Sequence, residues 1–286
     1  MINQIPMFID QLFRYTYLQQ ALVASVLVGV ICGVIGCYII LRGMALMGDA
    51  ISHAVLPGVV VSYMIGASFF LGAVVTGVLT ALAIGYISQN SRIKEDSAIG
   101  IMFTAMFALG VVMITSLRGT RFDLWHILFG NVLAVSRTDL LITVGIGVFV
   151  LIAIVIFYRP LLLSTFDPTM AKASGLPVKL IHYILMLLLS LVTVASLQTV
   201  GIILVVAMLI TPGATAYLLT DRFPVMLLLS ALIGVVSAIS GLFFSVVYDV
   251  ASGASIVLAA SILFLLAFFF SPKQGIIPRM FRKPIS

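Results

Sequence analysis

The sequence predicts an all-α membrane protein, a polytopic helical bundle of eight to nine transmembrane spans, and three observations carry that prediction. Of 286 residues, 63% are hydrophobic and only 8% are charged, whereas a soluble domain carries roughly 25% charged residues. The apolar residues form long runs, each near the roughly 20 residues that cross about 30 Å of hydrocarbon as a helix. Those runs are apolar all round, without the period-two alternation of a barrel strand, and short polar joints separate them. A soluble enzyme, a nucleic-acid binder and a secreted disulfide scaffold are excluded.

The first window, 18–41, holds Cys32 and Cys37. Their spacing is not that of a C-x-x-C redox or zinc motif, so they read as small packed thiols. The preceding Met1 to Gln20 stretch lacks the basic start and small-residue cleavage site of a signal peptide, so the first span is expected to persist. Windows 46–66 and 68–88 follow, then 98–117, whose mouth carries Lys94, Glu95, Asp96 and Ser97. A longer polar connection, with Trp125 and His126 as an interfacial aromatic anchor, leads to window 139–158. An amphipathic loop over 166–176 precedes window 180–197, where His182 reads as an interface residue. Windows 199–219, 224–247 and 254–270 complete the set, with Asp249 on a turn. The organisation is an N-terminal segment 1–17, one transmembrane domain 18–270 and a basic tail 271–286.

Lys273, Arg279, Arg282 and Lys283 follow the last span with no acid among them. Basic residues favour the cytoplasmic side, so the C-terminus is expected there. Counting back through nine spans puts eleven basic residues inside and only Arg14, Arg118, Arg121 and Arg137 outside. If window 46–66 is re-entrant, Arg14 and Arg42 exchange sides and the tally is unchanged.

Ionisable groups kept inside apolar helices cost several kcal/mol unless paired or bound, so they mark function. In Gly48-Asp49-Ala50-Ile51-Ser52-His53-Ala54-Val55-Leu56-Pro57-Gly58 the carboxylate and imidazole are four apart, on one helix face. Carboxylate plus imidazole without thiolate suits a borderline divalent ion such as Mn, Fe or Zn. Pro57 and Gly58 then break the helix beside the pair. A solvated helix start with Asp49 near the N-cap is the competing account of the same residues. Glu95, the chain's one glutamate, has two readings: helix capping at the positive dipole end, or convergence on Asp49 from the same predicted side. A third polar region comprises the 166–176 loop and Thr211-Pro212-Gly213-Ala214-Thr215-Ala216, ending at Asp221 and Arg222. The latter reads as a bend and a short helix at the inner surface, either a docking surface for a cytoplasmic partner or a plain connection. No G-x-x-x-x-G-K-[ST] stretch occurs. If ATP drives the protein, another polypeptide hydrolyses it.

At these residues the chain resembles the integral-membrane permeases of bacterial ABC importers for manganese, zinc and iron, the ABC-3 type. The matching stretches are GDAISHAVLPG (48–58), EDSAIGI (95–101), ASGL (173–176), VGIILVVAMLITPGATAYLLTDR (200–222) and GASIVLAAS (253–261), within a similarity running from about 18 to 270. The resemblance implies a fold related to the type II ABC importer permeases and a homodimer in the bacterial plasma membrane. It also implies a cytoplasmic ABC ATPase on each subunit and a metal-binding lipoprotein or periplasmic protein delivering the ion. It places metal-coordinating groups on Asp49, His53 and Glu95, with Asp96 beside them, and makes Thr211 to Arg222 the ATPase coupling helix. The ion is then cargo, with no tightly bound cofactor. A secondary transporter or channel independent of an ATPase is the alternative, and it would show a polar path through several spans.

Overall fold

Long apolar windows become long helices because a lipid-facing backbone can satisfy its N–H and C=O groups only internally. The computed structural model describes residues 4–116, 132–271, 273 and 275. Arg118, Arg121, Trp125, His126, Arg279, Arg282 and Lys283, used above, lie outside the described residues. A short helix α1 (Gln4–Arg14) precedes α2 (Thr16–Arg42). The second window is two helices, α3 (Met47–Ala54) and α4 (Leu56–Ile65), joined at Val55. Next come α5 (Phe69–Asn90), α6 (Glu95–Ser116) and α7 (Arg137–Ile156). Two shorter helices, α8 (Tyr158–Phe166) and α9 (Pro168–Ala173), lead into α10 (Val178–Val200). The chain then forms α11 (Ile202–Leu219), α12 (Phe223–Tyr248) and α13 (Ser252–Phe270).

Nine helical segments among the described residues are long and apolar enough to cross a membrane, with α3 and α4 together counting as one. Their boundaries follow local chemistry. Gly66 ends α4 with φ of 69°, a left-handed C-cap that glycine adopts without steric cost. Asp249 ends α12 in the same region at φ 53°, where Asp is among the few tolerated non-glycine residues.

The chain divides into two compact units. The first gathers the described residues within Met1–Ile40, Phe129–Leu141 and Thr199–Ser286. Its helices pack through small residues that let backbones meet. A Cβ on Gly29 would lie 2.8 Å from the Gly234 carbonyl, and a Cβ on Gly36 would collide with the Leu209 carbonyl. Between those two contacts, Ser230 Oγ donates to the Gly33 carbonyl at 2.7 Å. This is how helices associate where lipid supplies no hydrophobic drive: close van der Waals contact plus an occasional interhelical hydrogen bond. Cys32 and Cys37 are both buried and form no disulfide, as the packed-thiol reading expects. α1 is held by Phe8, whose ring meets Phe243 edge-on at 5.3 Å.

The second unit gathers the described residues within Leu41–Leu128 and Ile142–Gln198. α4 and α5 cross at Gly58 and Gly72, whose backbones touch. α5 runs antiparallel to α10. Gly77 lies under Ser190 and Val194, and Gly85 under His182 and Tyr183. Thr143 of α7 donates to the Ala195 carbonyl at 3.3 Å.

Gly36→Val forces backbone apart from backbone, and overpacking of that kind costs about 1–3 kcal/mol. Gly145→Val, where an added Cβ meets nothing within 4 Å, costs far less. Thermal melting of the two variants in detergent, followed by size-exclusion fluorescence, should show a clear drop for the first and little change for the second.

Candidate functional site

The first polar constellation is built on α3. Asp49 sits in its first turn and His53 in its last. The 3.6-residue period stacks them, with His53 Nε2 3.5 Å from Asp49 Oδ1. The side chains are 23% and 39% exposed, respectively, so the pair is sheltered yet reachable. The opposite face of α3 is fixed by packing, since Gly48, Ala50, Ile51, Ser52 and Ala54 are buried. Pro57 has no N–H to give the His53 carbonyl, so the α3 ladder ends there and α4 starts afresh with Pro57 near its N-terminus. The imidazole is wedged edge-on between Phe103 and Phe107 of α6, at centroid distances of 5.3 and 5.5 Å. These rings limit its rotation, and its Nδ1 is buried without a hydrogen-bond partner.

At 3.5 Å the two donors stand at the outer limit of a hydrogen bond. They are well spaced as ligands of one ion: bonds of about 2.1 Å from each would meet at roughly 110°. The arrangement can therefore accept a divalent cation with little movement.

Glu95 opens α6, with Asp96 exposed beside it. Its carboxylate faces His182 of α10, Oε1 to Nε2 at 3.6 Å. Among the described residues no three His, Cys, Asp or Glu side chains are gathered as one ligand set. The structure thus brings Asp49 to His53 and Glu95 to His182, and does not assemble Asp49, His53 and Glu95 together. His182 is the residue that sequence reasoning passed over as an interfacial side chain. Its signal was that it is an ionisable group two positions inside an apolar window, and only the antiparallel packing of α5 and α10 reveals what it meets. Arg42, at the end of α2, completes this cluster: its guanidinium reaches His182 Nδ1 at 3.3 Å, Ser164 Oγ at 2.8 Å and Thr165 Oγ1 at 3.1 Å.

The bend and separate short helix expected over Thr211 to Arg222 are not formed. Thr211, Pro212, Gly213, Ala214, Thr215 and Ala216 all belong to α11, which runs unbroken to Leu219 with Pro212 inside it. Pro212, Gly213, Thr215 and Ala216 are buried, and Gly213 rests on the Gly36 backbone. Proline is tolerated in a membrane helix where neighbouring groups satisfy the freed backbone, and the small residues that suggested a surface bend serve this close packing instead. Of the expected surface, Asp221 and Arg222 are exposed, and Asp221 forms a salt bridge with Lys273. A separate short helix lies in the other polar stretch. α9 is capped by Asp167, whose Oδ1 accepts from the Met170 N–H at 2.8 Å, and it starts at Pro168, the favoured first helical position. Phe166 and Met170 are exposed there, at 60% and 56%.

Comparison with known proteins shows the family and the fold. Residues 14–271 match the ABC 3 transport family. The manganese transport system membrane protein MntC of Halalkalibacterium halodurans is 76% identical over 98% of this chain and 96% of its own. The manganese import system permease protein ScaB of Streptococcus gordonii is 50% identical over 95% and 98%. Among solved structures, PsaBC from Streptococcus pneumoniae in complex with Fab superposes with a TM-score of 0.84, at 51% identity, over 94% of this chain and 97% of that one.

Because Ala216 is fully buried, Ala216→Glu places an unpaired charge among apolar helices, at a cost of several kcal/mol. Its membrane abundance should collapse, whereas Arg222→Glu, on the exposed turn, should accumulate like wild type. Immunoblots of membrane fractions compare the two directly.

Proposed function

The chain belongs to the ABC 3 transport family, and from that membership we propose that it is the membrane-spanning subunit of an ATP-driven importer whose cargo is a divalent transition metal, manganese foremost. The observation that carries the reading is the Asp49–His53 pair, a carboxylate and an imidazole 3.5 Å apart in an otherwise apolar helical segment. Its donor set fits Mn, Fe and Zn and lacks the thiolate that selects Cu(I). Two protein ligands leave the remaining positions to water, which suits a site that must release what it binds.

A P-loop is absent from the sequence, so ATP hydrolysis falls to a separate cytoplasmic ATPase. The surface for that partner is α9 with its flanks, because Phe166 at the end of α8 and Met170 on the capped α9 are both exposed apolar side chains. The Asp221–Arg222 turn lies on the same predicted side of the membrane. In this reading the C-terminus is cytoplasmic, the subunit pairs with a second copy, and an extracellular metal-binding protein delivers the ion. Glu95 belongs to the path of the ion on the side away from delivery, with exposed Asp96 at its mouth.

Uptake of radiolabelled manganese in a strain lacking its own importer, with the ATPase co-expressed, tests the assignment. Asp49→Asn and His53→Ala should each lower uptake at least as much as the roughly tenfold that loss of an outer-shell partner costs a metal site, while the protein still reaches the membrane. Asp249→Asn keeps the left-handed cap and should transport normally. Normal uptake by either site variant would remove the pair from the transport path.

Phe166→Glu/Met170→Glu should abolish co-purification of the ATPase without lowering membrane abundance of the chain. Retention of the ATPase by that double variant would move the docking surface elsewhere.

A further inference from the structure

Among its described residues the second unit holds two carboxylate–imidazole pairs, not one. Glu95 and His182 face each other at 3.6 Å, too far for a hydrogen bond yet spaced so that bonds of about 2.1 Å to a shared ion would meet at roughly 120°. They line a cavity of about 440 Å³ together with Arg42, Ser88, Gln89 and Lys179. Glu95 Oε1, His182 Nε2 and Gln89 Oε1 are all buried, and none has a hydrogen-bond partner. Three buried polar atoms without partners around one cavity are costly unless something else occupies it. We propose that Glu95, His182 and Gln89 form a second divalent-cation site, and that Arg42 holds it closed in the conformation seen here.

Arg42 closes the site in two ways. The guanidinium is a donor only, so its contact with His182 Nδ1 requires that nitrogen to accept. The neutral ring then carries its proton on Nε2, the nitrogen that faces Glu95, and cannot offer a lone pair there. Arg42 also stands as the local positive charge beside the Glu95 carboxylate, where a second cation would be repelled. When Arg42 withdraws, the ring proton moves to Nδ1, Nε2 turns acceptor, and the three groups present one imidazole nitrogen and two oxygens. No net proton is gained or lost. Lys179 is exposed at the cavity mouth, where water screens it.

What moves Arg42 is legible in its anchors. Ser164 and Thr165 belong to α8, and one residue, Asp167, separates α8 from the exposed helix α9. A shift of α9 under a docked partner would carry the anchors with it and draw the guanidinium from the imidazole. The ion's identity rests on the transport reading above; the existence of the site does not.

The test is Mn(II) binding to the full-length chain in lipid nanodiscs, read from loss of the free-ion EPR signal, in an Asp49→Asn/His53→Ala background that removes the first pair. With Arg42 intact, binding should be weak. Adding Arg42→Gln should tighten it by about tenfold or more, the scale on which outer-shell groups tune metal sites, to about one ion per chain. Pulsed EPR should then show imidazole nitrogen coupling. Further addition of His182→Ala should abolish both the binding and the coupling, and Glu95→Gln should abolish the binding. If Arg42→Gln does not fold, Ser164→Ala/Thr165→Val frees Arg42 without altering the cavity's charge and should give the same gain. No gain in whichever of these variants folds, or a gain that survives both His182→Ala and Glu95→Gln, overturns the proposal. Manganese uptake with the ATPase co-expressed is scored separately, so a failure of the transport reading leaves the binding result standing.

Discussion

An ionised side chain among apolar helices costs several kcal/mol unless another group answers its charge, and in this protein that constraint selects which residues meet. Few charges are available, 8% of the chain, and in the second unit Arg42, Asp49 and Glu95 each face an imidazole. Asp49 reaches back along its own helix to His53. Arg42, Glu95 and His182 come from the ends of three different helices and share one cavity. The same necessity that holds these groups together would make them responsive in the proposed reading, where a cation entering either pair takes over the compensation of charge.

Packing follows a complementary rule. Where no charge is present, helices approach through the absence of side chains. Gly29 against Gly234 and Gly58 against Gly72 bring backbones into contact, and the hydroxyl of Ser230 adds a hydrogen bond to the Gly33 carbonyl. Bulk serves a different purpose at the first pair, where Phe103 and Phe107 clamp the His53 ring. A ring held in this way beside a partly exposed carboxylate would, in the proposed reading, keep its ligand geometry without ordering further side chains and so limit the entropy lost on binding an ion.

Helix positions were legible in the sequence because twenty apolar residues have one structural solution in lipid. The break after His53 was legible too, since Pro57 removes a backbone donor. The Asp49–His53 contact was readable because it is local, set by the helical period alone. The partner of Glu95 was not. It depends on which face of α10 packs on α5, a register decided by Gly77 and Gly85 and by nothing within the Glu95 segment. The Thr211–Ala216 stretch misled for a related reason. Proline, glycine and small residues signal a surface bend in water, and in lipid the same composition signals a buried helix contact. Window boundaries also hid α1, whose short amphipathic run is no span and shows itself through Phe8 on Phe243.

The two cysteines, buried within α2, have a practical corollary. Thiol reagents in water meet neither sulfur while the protein is folded, so the natural chain already serves as an unreactive background for site-directed labelling. A single cysteine introduced on α9, or on the turn that carries Arg222, would be the one position modified by a maleimide probe. Spin or fluorophore pairs placed that way can follow the α8–α9 segment through a catalytic cycle of the assembled complex, with the interior of α2 left as it is.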